Sequence, residues 1–130
     1  MANLTKIYSD IDFTFTKKPG TNDVAVSYDA QAVTRSIRNL LLTKNYERLW
    51  NPSLGSKIES LLFELVSPVS ADLIESEIRL MIKTFEPRAD LNELRVTPLP
   101  DKNAYTVFMS YFLENATIPT TLTLLLERNR

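Results

Sequence analysis

At 130 residues, with 44% hydrophobic and 24% charged side chains, the chain is long enough for one domain with a real core. Its 15 basic and 16 acidic residues give a net charge of −1, which supplies no electrostatic drive toward nucleic acid, and no apolar run approaches the ~20 residues of a membrane helix. It has no cysteine and no histidine, which removes disulfides, thiolate and imidazole metal sites, and Ser-His-Asp or Cys-His catalysis together. An enzyme built on this chain is left with carboxylates, lysine, tyrosine or an oxygen-ligated cation. Two glycines and seven prolines argue against a flexible linker protein. The opening Met-Ala-Asn-Leu-Thr-Lys has no signal-peptide pattern, so synthesis inside a cell is expected.

Residues 1–23 read as a loosely structured lead-in to a single domain. Within them Ile7–Phe13 alternates enough for a short strand, and Lys17-Lys18-Pro19-Gly20 is a turn signal. Asp10 and Asp12 lack the glycine-bearing loop of a calcium site and read as a solvated turn. Val24–Tyr28 is a second short strand. Asp29 is placed to cap a helix over about Ala30–Thr43 whose apolar face is Val33, Ile37, Leu40 and Leu41. Asn45–Gly55 reads as a loop, with Trp50 expected to anchor it on the core. A short helix follows, with Ile58, Leu61, Leu62 and Leu65 as its buried side, and Ser67-Pro68 is expected to break it. Ser70 is the expected cap of the longest helix, about Ala71–Phe85.

At Thr84-Phe85-Glu86-Pro87-Arg88 the apolar period changes from three or four to two. Pro87 lacks an N–H and restricts Glu86, so the helix should stop at about Phe85. Glu86 and Arg88 read either as two solvated charges or as a carboxylate and a guanidinium presented to a partner chain. As an exposed charge, Arg88 would cost under about 1 kcal/mol to remove. Glu86 stands at the negative end of the helix dipole, where a carboxylate is mildly unfavourable. Three strands are expected next: Leu91–Leu99, Ala104–Leu113 after a turn at Pro100–Asn103, and Thr120–Glu127 after a turn at Asn115–Thr117. They form an antiparallel meander packed on about three helices, an α+β fold with short N-terminal strands. Phe108 and Phe112 make the middle strand apolar on both faces. If Thr120–Leu126 lies at the sheet edge, it offers unpaired backbone groups with no proline or lysine to blunt them.

The ordered set Ser36–Thr43, Glu47-Arg48, Asn51-Pro52-Ser53-Leu54-Gly55, Leu61-Leu62-Phe63-Glu64 and Glu86-Pro87-Arg88 resembles the small baseplate wedge proteins of contractile phage tails, the tail-sheath initiators, with relatives in type VI secretion baseplates. The resemblance covers about residues 7–96. It departs at Asn45-Tyr46, where the family often has a glycine. It implies a structural, non-enzymatic protein without cofactor or metal, assembled in the host cytoplasm into the virion tail baseplate, in several copies of a six-fold assembly. The partners it implies are other wedge proteins, above all the helical core bundle, and the tail sheath, with no nucleic acid or membrane. Glu86, Pro87 and Arg88 would contact the core bundle. Thr120, Leu122, Thr123 and Leu124 would pair as a strand with the first sheath ring. The competing class is a lysozyme-like glycosidase working through two carboxylates, for which Glu47, Glu59, Glu64 and Glu86 are candidates.

Overall fold

The computed structural model describes residues 9–11, 14–17, 19–20, 23, 26–114 and 116–128. Two short strands, β1 (Ser9–Ile11) and β2 (Val26–Tyr28), pair antiparallel with Ser9 opposite Tyr28. The other ends of the two expected N-terminal strands, at residues 7–8, 12–13 and 24–25, lie outside the described residues. Helix α1 (Asp29–Leu42) buries Val33, Ile37, Leu40 and Leu41, the face its 3.6-residue period requires, together with Ala32. Arg38 is exposed and Arg35 and Asn39 are half-buried. Helix α2 (Ile58–Leu62) is a single turn and a half that buries Ile58 and Leu62. Leu61 is half-buried, but Leu65, expected on the same side, is exposed. The helix ends before its period reaches that residue.

Helix α3 (Pro68–Phe85) starts earlier than its sequence suggests. Its N-cap is Ser67, not Ser70: the Ser67 hydroxyl accepts from the Ser70 N–H at 3.1 Å, and Pro68 occupies the first helical position. Proline there loses nothing, because the N–H it lacks has no intrahelical partner, so Pro68 opens this helix instead of breaking the previous one. The Ser70 hydroxyl donates back to the Leu65 carbonyl at 3.0 Å and closes the α2–α3 turn. Ser67→Ala should therefore lower stability by about 1 kcal/mol, read from the urea midpoint. Ser70→Ala is the comparison, since it leaves the cap in place.

Ile74, Ile78, Met81 and Ile82 form the buried stripe of α3, each contributing about 1.5–3 kcal/mol relative to exposure. They face a sheet of β3 (Ala89–Leu99), β4 (Ala104–Leu113) and β5 (Thr120–Glu127), antiparallel throughout and in the order β3-β4-β5. The β3–β4 turn is a short 3-10 segment at Pro100–Lys102 followed by Asn103 at φ 49°, a left-handed position that asparagine tolerates. Because side chains alternate, β4 sends Tyr105, Val107, Met109 and Tyr111 into the core with Leu94, Val96, Leu122 and Leu126 from its neighbours. Its other face carries Thr106, Phe108, Ser110 and Phe112. There Phe108 sits between Arg95 of β3 and Thr123 of β5 and is half-buried by them, which resolves how both faces of this strand can be apolar.

Candidate functional site

The Glu-Pro-Arg corner is a β-turn that follows α3 without a gap. The Glu86 N–H still donates to the Ile82 carbonyl at 2.9 Å, and the Glu86 carbonyl accepts from the Ala89 N–H at 3.2 Å. Pro87 stands at the second turn position, where its fixed φ is favourable. The three side chains then part company. Glu86 is 2% exposed, Pro87 is exposed, and Arg88 is half-buried. Arg88 holds the Glu86 carboxylate in a fork, Nε to Oε1 at 2.5 Å and Nη2 to Oε2 at 2.8 Å. The Ser36 hydroxyl of α1 donates to Oε2 as well. Neither sequence expectation for Glu86 describes this: it is neither solvated nor turned outward. Its unfavourable place at the helix C-terminus is offset by a bidentate cation and a hydroxyl donor inside the fold.

A second, separate tie joins β4 to α1. The Tyr111 hydroxyl of β4 meets the Thr34 hydroxyl of α1 at 2.5 Å, and Thr34 also donates to the Ala30 carbonyl at 2.6 Å. Burial pushes the Tyr111 phenol above its ordinary value, the Thr34 hydrogen bond works against that, and the nearby Glu86 charge adds to it. The corner is thus tied to α1 through Ser36, and β4 is tied to α1 through Thr34. Pro87 and the outer part of Arg88 are what remains at the surface.

The second candidate is the sheet edge. β3 and β5 are the two outer strands, and they differ. β3 carries Pro98, a register shift between Leu91 and Glu93, and the exposed charges Asp90, Glu93 and Arg95. These are the devices that keep an edge from pairing. Between Thr120 and Leu126, β5 has no proline, no charge and no register shift. Its pairing partner among the described residues is β4 alone. Of the residues singled out from sequence, Thr123 is exposed, Thr120 and Leu124 are half-buried, and Leu122 is in the core. At Leu122 the strand has only its backbone to offer a neighbour.

The loop between α1 and α2 departs most from expectation. Trp50 is 99% exposed, and Tyr46 and Leu49 beside it are exposed too. The base of the loop is pinned instead: the Ser56 N–H donates to the Thr43 carbonyl at 3.0 Å, the Tyr46 N–H to the Pro52 carbonyl at 2.9 Å, and Gly55 adopts φ +123°. The loop holds its shape through its backbone, so the tryptophan is not needed as an anchor. Trp50→Ala should change the melting free energy by less than about 0.5 kcal/mol. The signal for this was the short Asn-Pro-Ser-Leu-Gly closure, which leaves its preceding residues at the tip.

Three of the four acidic candidates for hydrolysis are engaged by a cation or a backbone N–H. Glu47 accepts from the Lys44 N–H at 2.9 Å, Glu59 pairs with the Lys44 ammonium at 2.6 Å, and Glu86 is held by Arg88. The Glu59 hydrogen bond and charge push Lys44 above its ordinary value. Glu64 is exposed. Among the described residues no group of three acidic side chains is placed to hold a metal ion, and no helix is long and apolar enough to cross a membrane.

The corner and the three helices before it fall within residues 27–115, which match the sequence profile of the family described as baseplate wedge protein gp25; β5 lies beyond the end of that match. The chain belongs to the gp25 baseplate wedge family. Baseplate wedge protein gp25 of Enterobacteria phage T4 is 32% identical over 109 residues, 84% of this chain and 80% of that protein. Three solved structures share the fold at lower identity. A Geobacter sulfurreducens protein described provisionally as a tail lysozyme has TM-score 0.73 at 21% identity, over 82% of this chain and 96% of its own. A chain of the six-fold symmetrised anti-feeding prophage baseplate has TM-score 0.63 at 22% identity, over 95% and 87%. A chain of the type VI secretion baseplate complex has TM-score 0.60 at 14% identity, over 77% and 93%. The resemblance read from the ordered motifs is therefore borne out at the level of the family, and this chain is a gp25-family baseplate wedge protein.

Proposed function

We propose that this gp25-family protein is a structural part of a contractile-tail baseplate wedge that docks on the helical core bundle of the wedge and seeds the tail sheath by strand pairing. The observation that carries this reading is the undefended edge of β5, opposite a β3 edge that has proline, a register shift and charges. An incoming sheath strand would extend the sheet beyond β5, using the backbone of Thr120–Leu124. The corner serves the other partner. Glu86 orients Arg88 from inside, and Pro87 with the outer side of Arg88 meets the core bundle. The six-fold symmetry of the anti-feeding prophage baseplate supports several copies per assembly. That assembly would belong to a virion tail put together in the host cytoplasm.

The role is structural and not hydrolytic. Glu47, Glu59 and Glu86 are each engaged by a cation or a backbone N–H, whereas a glycosidase needs two carboxyl groups free to face a sugar from a set separation. The likeness to the Geobacter sulfurreducens protein is one of fold.

The test is co-purification of the chain with the wedge proteins of its own tail, as wild type and as Arg88→Lys. Lysine keeps the charge but loses the fork. The wild type should enter a wedge complex and Arg88→Lys should enter it at least tenfold less well. A wild-type chain that stays alone whatever wedge protein is added would refute the docking reading, and release of muropeptides from peptidoglycan by the same preparation would replace it with the hydrolase.

A further inference from the structure

Helix α3 carries a second line of apolar residues on its outer side. Val69, Leu73 and Leu80 are 69%, 49% and 62% exposed, and the exposed Ser76 and Thr84 continue the line. Steps of three or four residues put all five on one stripe, opposite the Ile74, Ile78 and Ile82 stripe that faces the core. No charge interrupts it. The Ser76 hydroxyl donates to the Asp72 carbonyl at 3.0 Å and the Thr84 hydroxyl to the Leu80 carbonyl at 2.8 Å, so both hydroxyl protons are directed at the helix's own backbone. Charges stand along one flank of the stripe in a fixed order: Asp72 and Glu75 in the N-terminal half, Arg79 and Lys83 in the C-terminal half. On the other flank the Glu77 carboxylate accepts from the Lys57 N–H, at the start of α2, at 3.2 Å.

We propose that this stripe is the contact between two copies of the free chain, paired antiparallel through α3 about a two-fold axis near Ser76. The order of the charges selects the occupant. A two-fold that turns one α3 end for end lays the same flank of each helix side by side, so Asp72 and Glu75 of each copy meet Arg79 and Lys83 of the other. The flank is complementary to itself. Glu75 and Arg79 already pair within the helix at 3.2 Å, but that contact is exposed and readily shared with a second copy. Ser76, the smallest residue of the stripe, stands at its middle and lets the two helices approach there. A helix of 18 residues is roughly 27 Å long, so one such face gives an interface below about 1,200 Å² in total, and the pair is weak and reversible. Rotation about a single axis, as in the six-fold anti-feeding prophage baseplate, does not bring a surface against its own copy. The contact therefore belongs to the chain before it joins a baseplate, and it depends on neither the docking nor the strand-pairing reading.

The test is sedimentation velocity of the full chain alone, in a concentration series up to millimolar and at low and high salt. The wild type should pass from monomer to dimer, and added salt should move the transition to higher concentration. Leu80→Met should behave like wild type, and Leu80→Glu should associate at least about tenfold more weakly. Leu80 is mostly exposed, so Leu80→Glu should keep the wild-type melting curve; should it melt early, Leu80→Gln carries the same test. Glu75→Arg and Arg79→Glu, each alone, should weaken association about fivefold or more, and an equimolar mixture of the two should restore it. A defect within one helix would not be mended by mixing. A wild type that stays monomeric throughout overturns the proposal, whether or not the stripe then proves to bind a wedge protein. So does a dimer that Leu80→Glu leaves intact, which would put the contact elsewhere on the chain. Failure of the mixture to recover also overturns it, since antiparallel charge matching is what selects a second copy.

Discussion

Arg88→Ala is expected to lower stability by about 2–3 kcal/mol, far more than an exposed charge after a helix would cost. The reason lies in Glu86. With the guanidinium gone, its carboxylate stays 2% exposed and keeps only the Ser36 hydroxyl among the side-chain partners described above. The estimate sits below the range for a fully buried pair because Arg88 is 33% exposed and water can enter its place. Glu86→Gln should cost less, since the amide keeps the shape, can still accept from Ser36, and leaves an arginine that solvent can reach. The order of the two urea midpoints is the discriminating result. If Arg88→Ala melts like wild type, the fork is not a structural tie. Loss of wedge binding in that variant would then report contact with a partner directly. In the folded protein as it stands, such a loss mixes the two effects, which is why Arg88→Lys is the better probe of docking.

Gly55→Ala should be as damaging, at about 2–4 kcal/mol. A Cβ at this position would stand 2.7 Å from the Thr43 carbonyl oxygen and 2.8 Å from that of Lys44, both backbone atoms, on a residue whose φ is +123°. The chain cannot yield there without releasing the Lys44–Ser56 bridge that closes the loop. Gly20, also at positive φ, has nothing within 4 Å of the same added atom, so Gly20→Ala should cost only the conformational strain. Chemical denaturation of the two variants side by side separates crowding from strain. Equal costs would mean that the close approach to Thr43 is relaxed easily.

Much of this fold was readable from periodicity. The end of α3 at Phe85, the three C-terminal strands and the buried face of α1 follow from the spacing of apolar residues and from Pro87. Misreadings arose where one residue type has two opposite uses. Pro68 breaks a helix from inside but opens one at its first position, and the choice depended on whether Ser67 could cap. Trp50 is large enough to anchor a loop, yet the anchoring is done by backbone hydrogen bonds that leave no mark in composition. Glu86 was legible as an anomaly because a carboxylate is unfavourable at a helix C-terminus. Its solution was not legible, because Ser36 lies 50 residues away and nothing local shows that they meet.

Backbone amide exchange tests the proposed pairing of β5 with a sheath strand most directly. Deuterium uptake over residues 120–127 is compared between the free chain and the chain in a baseplate carrying its first sheath ring. In the free protein the N–H groups of β5 that point away from β4 should exchange quickly, and in the assembly they should become protected by about a hundredfold or more, with β3 little changed. Uptake over 120–127 that is the same in both states would contradict strand pairing at this edge.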